Sequence, residues 1–399
     1  MEWPHSLDVP ALLAGGWRPH PFHTFILKIH SRCDLACDHC YVYRSADQSW
    51  TDQPPSMSPG TVAQTARRIA EHAAAHRLSA VNLVLHGGEP LLAGPELIAL
   101  CVRSVREAVG PGVAVHALVQ TNGLRLDEAY LRLFGELDLR VGISLDGDEA
   151  GHDRHRRRAG GRGSHAEVVE AVRLLARPGH RRLFAGLLCT VDPRNDPVAT
   201  YEALLREAPP SLDFLLPHGN WSAPPPGRDP GSPAVPYGDW LVTVFDRWYG
   251  EQPRRVPVRL FEEIMNLLLG GSSSTESAGL APIRVAVIET DGAIEQGDSL
   301  KSAYHGAART GLHVATDPLD AALRLPAVVA RQLGAEALGA ECRACRLHRV
   351  CGAGLYAHRY RPGTGFANPS VYCPDLLRLI THIRSVLRRD IAALRAGTS

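Results

Sequence analysis

Three thiols fall within eight residues, Cys33, Cys37 and Cys40, directly after the apolar stretch Phe25-Ile-Leu-Lys-Ile29. Clustered thiolates bind soft metals or iron–sulfur clusters. Three are one short of a closed tetrahedral set, and an open position lets a metal centre act on a bound molecule. A later group, Cys342-x2-Cys345-x5-Cys351 and then Cys373, has four thiols, enough to close a site completely. The plain alternatives are a zinc knuckle for the first group and a four-cysteine zinc ribbon for the second. A ribbon normally has two matching CxxC halves, and here only one CxxC exists. Cys101 and Cys189 sit in apolar contexts and read as small buried hydrophobes.

The remaining composition is that of an ordinary globular protein: 45% hydrophobic and 21% charged over 399 residues, enough chain for one large α/β barrel or two to three smaller domains. Basic and acidic residues balance to a net charge of +1, which gives no electrostatic case for nucleic acid or anionic membrane. The first residues lack a basic and then apolar signal pattern, and no run of eighteen apolar residues occurs. The expectation is a cytoplasmic protein, where tight cysteine clusters favour metal ligation over disulfides.

Elements that could position these thiols alternate along the chain. Strands are expected at 25–29, 80–85, 113–120, 139–145, 183–191 and 213–217, with helices at 61–76, 94–109, 126–137, 164–175 and 197–207. Such alternation argues for parallel βα units. Polar and Gly-rich motifs follow the first four strands: the cysteine loop, Gly87-Gly88-Glu89-Pro90, Thr121-Asn122-Gly123, and Ser144-Leu-Asp146-Gly147. In βα barrels that rim builds the active site. Glycines let backbone approach a ligand, and a carboxylate with backbone carbonyls can accept hydrogen bonds from an ammonium. The basic stretch 152–158 reads as a solvated loop. The Pro-rich segment 218–236 reads equally as a linker or a lid. Residues 374–395 read as a closing helix with Leu376, Leu377, Ile380, Ile383, Val386 and Leu387 on one face.

The triad and the rim motifs together resemble the radical SAM superfamily. The resemblance implies an α/β fold: a partial (β/α)6 TIM-type barrel with a C-terminal SPASM-like α+β domain. It further implies that Cys33, Cys37 and Cys40 hold a [4Fe–4S] cluster whose fourth iron binds S-adenosylmethionine (SAM). His39 and Tyr41 flank the third thiol, where the family usually has an aromatic residue just before it. Gly87, Gly88, Glu89 and Pro90 match the motif that binds the methionine amino group. Ser144 is a candidate for the SAM ribose, and an arginine of the basic stretch for the SAM carboxylate. The expected division is an irregular leader (1–23), a barrel (24–235), a helical bridge (236–282) and the SPASM-like unit (283–399).

Cys342, Cys345, Cys351 and Cys373 resemble the ligands of the outer auxiliary [4Fe–4S] cluster of SPASM domains. Two further cysteines of the full domain are replaced, by Gly297 and Leu355, so one auxiliary cluster is expected. Asp298 keeps an acid that serves as a general base in sulfatase-maturing relatives; the plain alternative is a helix N-cap. Segments 294–304, 351–360 and 365–373 resemble the FxsB-type radical SAM/SPASM group. That resemblance implies action on a ribosomally synthesised precursor peptide. Hydrogen is taken from an unactivated Cβ and a cyclophane-type C–C bond forms to a nearby aromatic ring, with electrons from a donor such as flavodoxin or ferredoxin. Other outcomes of the same class are a thioether or ether crosslink, epimerisation or side-chain oxidation. The contrasting class is a non-catalytic Fe–S or zinc protein.

Overall fold

The structure, a computed structural model, describes residues 2–397. Nine strands form one sheet in the order β6-β5-β4-β3-β2-β1-β7-β8-β9. They are β1 (Thr24–His30), β2 (Ala80–Gly87), β3 (Ala114–Thr121), β4 (Leu139–Ser144), β5 (Phe184–Thr190), β6 (Leu212–Leu215), β7 (Val285–Ile288), β8 (Ala293–Glu295) and β9 (Arg309–His313). The first six are parallel neighbours in sequence order, and a helix follows each one. The alternation argued for parallel βα units, and the sheet is the α/β partial (β/α)6 barrel that the resemblance implies.

The period-two geometry of a strand sorts its residues between two faces. Val81, Leu83 and Leu85 of β2 are at most 1% exposed and pack in the main core. His86, of the opposite phase, faces the barrel interior. Lys28 is its register partner on β1. Lys28 is therefore a charged residue placed inside an apolar strand.

Differences from the expectations have local causes. β7 pairs in parallel with β1, and β8 and β9 continue the sheet antiparallel, so the strands expected in a later unit extend the barrel's own sheet. Residues 9–14, within the leader expected to be irregular, form a short helix capped by Asp8. The basic stretch begins within a helix, Glu149–His155, capped by Asp148, and Arg154, His155, Arg156 and Arg158 pair with carboxylates while Arg157 is exposed. Residues 218–236 are tied down: the Trp221 indole donates to the Pro369 carbonyl, Asn220 to the Ser302 carbonyl, and buried Arg228 pairs with Asp375. The closing helix, Cys373–Gly397, buries the expected face except Leu377, which is exposed. Among the described residues no helix is long and apolar enough to cross a membrane.

Buried ion pairs join the late strands to β1. Lys28 Nζ lies 3.1 Å from Asp298 and 3.8 Å from Glu289, and Lys301 Nζ lies 2.5 Å from Glu289 and 3.0 Å from Glu295. All five side chains are at most 9% exposed. Breaking one partner of such a set strands a buried charge. Lys28→Met should cost roughly 3–5 kcal/mol, read as a lower urea midpoint at unchanged slope. Adding Asp298→Asn should recover part of that loss.

Candidate active site

The rim motifs converge on one cavity of about 200 Å³ at the C-terminal ends of the strands. Cys33, Cys37, Cys40, His39, Tyr41, Gly87, Gly88, Glu89 and Ser144 all line it. Pro90 lies behind, buried, and opens a short turn at Pro90–Ala93. Asp298 does not line it. It follows Gly297 at the start of a 3-10 turn and makes no capping bond, so the N-cap reading fails. Its carboxylate points instead at Lys28.

The two glycines are dictated by backbone contact. A Cβ on Gly87 would lie 2.1 Å from the His30 carbonyl oxygen. One on Gly88 would lie 2.4 Å from that of Arg32 and 1.8 Å from the Tyr43 hydroxyl. Their absence lets Gly88 N–H donate to His30 and Glu89 N–H to Arg32. The motif after β2 is thereby clamped to the loop carrying the thiols.

Glu89 is 1% exposed. Its carboxylate accepts from the Thr121 hydroxyl at 2.6 Å, Asn122 N–H at 2.8 Å and Leu91 N–H at 3.0 Å. No cation pairs with it among the described residues. Burial pushes its carboxyl up to about 7. A ligand ammonium is what this carboxylate lacks. Asn122 also bonds Asp34 at 2.8 Å and reaches the Cys33 sulfur at 3.8 Å, so it braces the cysteine loop.

Arg156, Gln120 and His86 are among the further lining residues. Arg156 is the arginine of the basic stretch that reaches the cavity. Its Nε and Nη2 bind Asp146, at 2.5 and 3.3 Å, and Nη1 takes part in neither bond. Gln120 donates to Ser144 Oγ at 3.2 Å. His86, directly before the glycines, was visible in the sequence as an imidazole at a strand end. Lys28 within Phe25–Ile29 was the signal for the buried charge set.

The thiols fit a cluster better than one ion. Three thiolates on a single tetrahedral zinc stand about 3.8 Å apart. Among the described residues, the groups of His, Cys, Asp and Glu whose ligand atoms lie within 4.8 Å of one another include no cysteine. Burial pushes Cys33 up to about 12 and Cys37 up to about 11, so a metal centre must supply the charge that ionises them. Cys342, Cys351 and Cys373 are likewise raised by burial and lie within one another's electrostatic field, together with exposed Cys345. Gly297 leaves its Cβ position 3.5 Å from Arg331, and Leu355 lines a separate small cavity with His218, His358 and Leu376. Neither place offers a thiol.

An open thiol set beside a cradle for an amino-acid head group, at the rim of a parallel barrel, is the arrangement of a radical SAM enzyme. Residues 27–202 match the Radical SAM superfamily. A serine-type anaerobic sulfatase-maturating enzyme of Klebsiella aerogenes is 28% identical over 387 residues, spanning 95% of this chain and 90% of the relative. A cysteine-type anaerobic sulfatase-maturating enzyme of Clostridium perfringens is 24% identical over 282 residues, 69% of this chain and 73% of the relative. Native anSMEcpe with bound AdoMet has the same fold, with a TM-score of 0.79 at 20% identity over 93% of this chain and 99% of that one.

The cofactors are therefore SAM, a [4Fe–4S] cluster and auxiliary Fe–S chemistry. When bound, SAM and its cluster supply a radical able to take hydrogen from an aliphatic carbon. Cys33, Cys37 and Cys40 would hold the cluster, and Glu89 would accept from the SAM ammonium. Replacing any of these cysteines with Ala should abolish SAM cleavage by the anaerobically reconstituted enzyme, measured as 5′-deoxyadenosine under dithionite. A colourless, zinc-loaded wild type would sink the cluster assignment. Gly88→Ala should cost about 1–3 kcal/mol by overpacking and weaken SAM binding in equilibrium titration.

Proposed function

We propose that this enzyme modifies a ribosomally synthesised peptide by taking hydrogen from an unactivated side-chain Cβ and joining that carbon to a nearby aromatic ring. The observation that carries the peptide-modifying part is the open triad and the second four-thiol group held on one frame. Radical chemistry at the first needs a place for the surplus electron, and the second provides one. The relatives' names, sulfatase-maturating enzymes, point to protein side chains as the substrate class. The cyclophane outcome rests on the FxsB-like segments at 294–304, 351–360 and 365–373 and on the replacements at Gly297 and Leu355, which leave one auxiliary cluster. A small electron carrier of the flavodoxin or ferredoxin kind delivers the first electron.

A second reading is favoured by the relatives themselves: oxidation of a serine or cysteine side chain, as their names imply for them. Co-expression with short peptide genes encoded nearby separates the two. A crosslink should lower the peptide mass by two hydrogens, suppress fragmentation between the joined residues and leave nothing for a hydrazide to trap. A serine oxidised to an aldehyde also loses two hydrogens, but it is trapped by the hydrazide and fragments normally.

A further inference from the structure

We infer that His86 takes the substrate proton, with Asp298 behind it as the carboxylate that orients the imidazole and stabilises its charged form. This rests on the peptide-oxidising reading above. Asp298 is the acid that the sequence offers as a base, but it has no face on the cavity. His86 has one. Register places His86 beside Lys28, on adjacent parallel strands, and Asp298 lies against both. His86 Nδ1 is 3.8 Å from Asp298 Oδ2. Nδ1 and Asp298 Oδ1 are both buried without a hydrogen-bond partner. Two unpartnered polar atoms on neighbouring groups are costly unless they serve each other in some state of the site. Catalytic hydrogen bonds are often long before substrate binds.

The tautomer follows. With its proton on Nδ1, toward Asp298, His86 leaves the Nε2 lone pair for the cavity. Burial and Lys28 lower its pKa, with Asp298 and Glu289 opposing, so the ring is neutral and able to accept. These groups and the Gly87 backbone are what the ring faces. The other candidates are worse placed. Lys28 and Lys301 outweigh burial and hold Asp298 below the ordinary carboxylate range, so it is a weak acceptor, and protonating it would strand Lys28. Glu89 is committed to Thr121, Asn122 and Leu91. His218 also lines the cavity, but its ring packs between Tyr41 and His358 and forms no ion pair among the described residues.

The step balances simply. Once the peptide carbon radical has bonded to the arene, the ring carbon still carries its hydrogen. That C–H bond breaks, its proton forms an N–H bond at His86 Nε2, and the one remaining electron would be taken up by the [4Fe–4S] cluster that Cys342, Cys345, Cys351 and Cys373 would hold.

The test uses the cluster-loaded full chain and a synthetic peptide with an aromatic residue two positions from a β-deuterated one. Deuterium appearing in 5′-deoxyadenosine reports hydrogen abstraction, and the mass of the peptide reports completion. His86→Gln should keep deuterium transfer within about threefold of wild type and lower product by roughly 100-fold or more, the range for losing a general base. Asp298→Asn should also keep deuterium transfer, lower product about tenfold, and move the acid limb of the product pH profile to lower pH. That limb is the loss of product as His86 becomes protonated, and without Asp298 the imidazolium is less stable. Full product from His86→Gln would overturn the assignment. So would equal loss of deuterium transfer and product, which would make His86 structural, or an unmoved limb in Asp298→Asn. Deuterium transfer absent from wild type would instead refute the peptide reading itself.

Discussion

The structure depends on five charges buried between β1 and the late strands. Lys28 comes from β1, Glu289 follows β7, Glu295 closes β8, and Asp298 and Lys301 lie in the turn after it. Taking so many charges out of water costs more than hydrophobic residues of the same size would. Their return is positional. Two ammoniums satisfy three carboxylates only in one arrangement, so the late strands meet β1 in one register and carry Asp298 to the inner face beside His86. Burial pushes Glu295 upward, which relieves the one surplus negative charge.

A second constraint acts at the same strand ends. The glycine pair after β2 exists because the loop carrying the cysteines runs against it closer than any Cβ allows. That approach fixes the distance between thiols and Glu89 through backbone hydrogen bonds. Glu89 then sits with three donors and no cation, a carboxylate whose burial is only fully compensated once an ammonium arrives. The geometry of this carboxylate is set by backbone and hydroxyl donors before any ligand is present.

The sequence made the barrel legible because strand and helix periods alternate cleanly, and because metal-ligand spacing is local: Cys33, Cys37 and Cys40 are close in the chain before they are close in space. Arg156 was hidden among neighbouring arginines and histidines, since only the helix Glu149–His155 and its ion pairs decide which of them turns inward. The continuation of the sheet through β7 was hidden because strand pairing across more than 250 residues leaves no local mark; Thr24 meets Val285 only in the fold. The Pro-rich segment 218–236 was unreadable for the opposite reason. Its composition suggests freedom, and its order comes from Trp221, Asn220 and Arg228 finding partners on distant loops. Leu377 shows the limit of periodicity: it has the right type beside the right face, but its neighbour Leu376 takes the core position.

The two thiol groups differ in number, and the fold holds them in a fixed relation. Cys373 opens the last helix, and Asp375, two residues on, accepts from the Tyr237 and Gly238 N–H groups at the start of the helix Pro236–Tyr249 while pairing with Arg228. A Cβ on Gly238 would lie 2.8 Å from the Asp375 carbonyl oxygen, so the two helices touch through their backbones. The helix that Cys373 opens is thereby held by backbone contact to the helix Pro236–Tyr249, whose apolar face lies in the main core. In the proposed reaction proton and electron leave by separate groups: the imidazole of His86, which lines the cavity, and the four late thiols, which lie outside its lining. Separating them in this way suits a reaction in which a carbon radical must lose both, since the proton needs a base within hydrogen-bond reach while the electron can leave through packed protein.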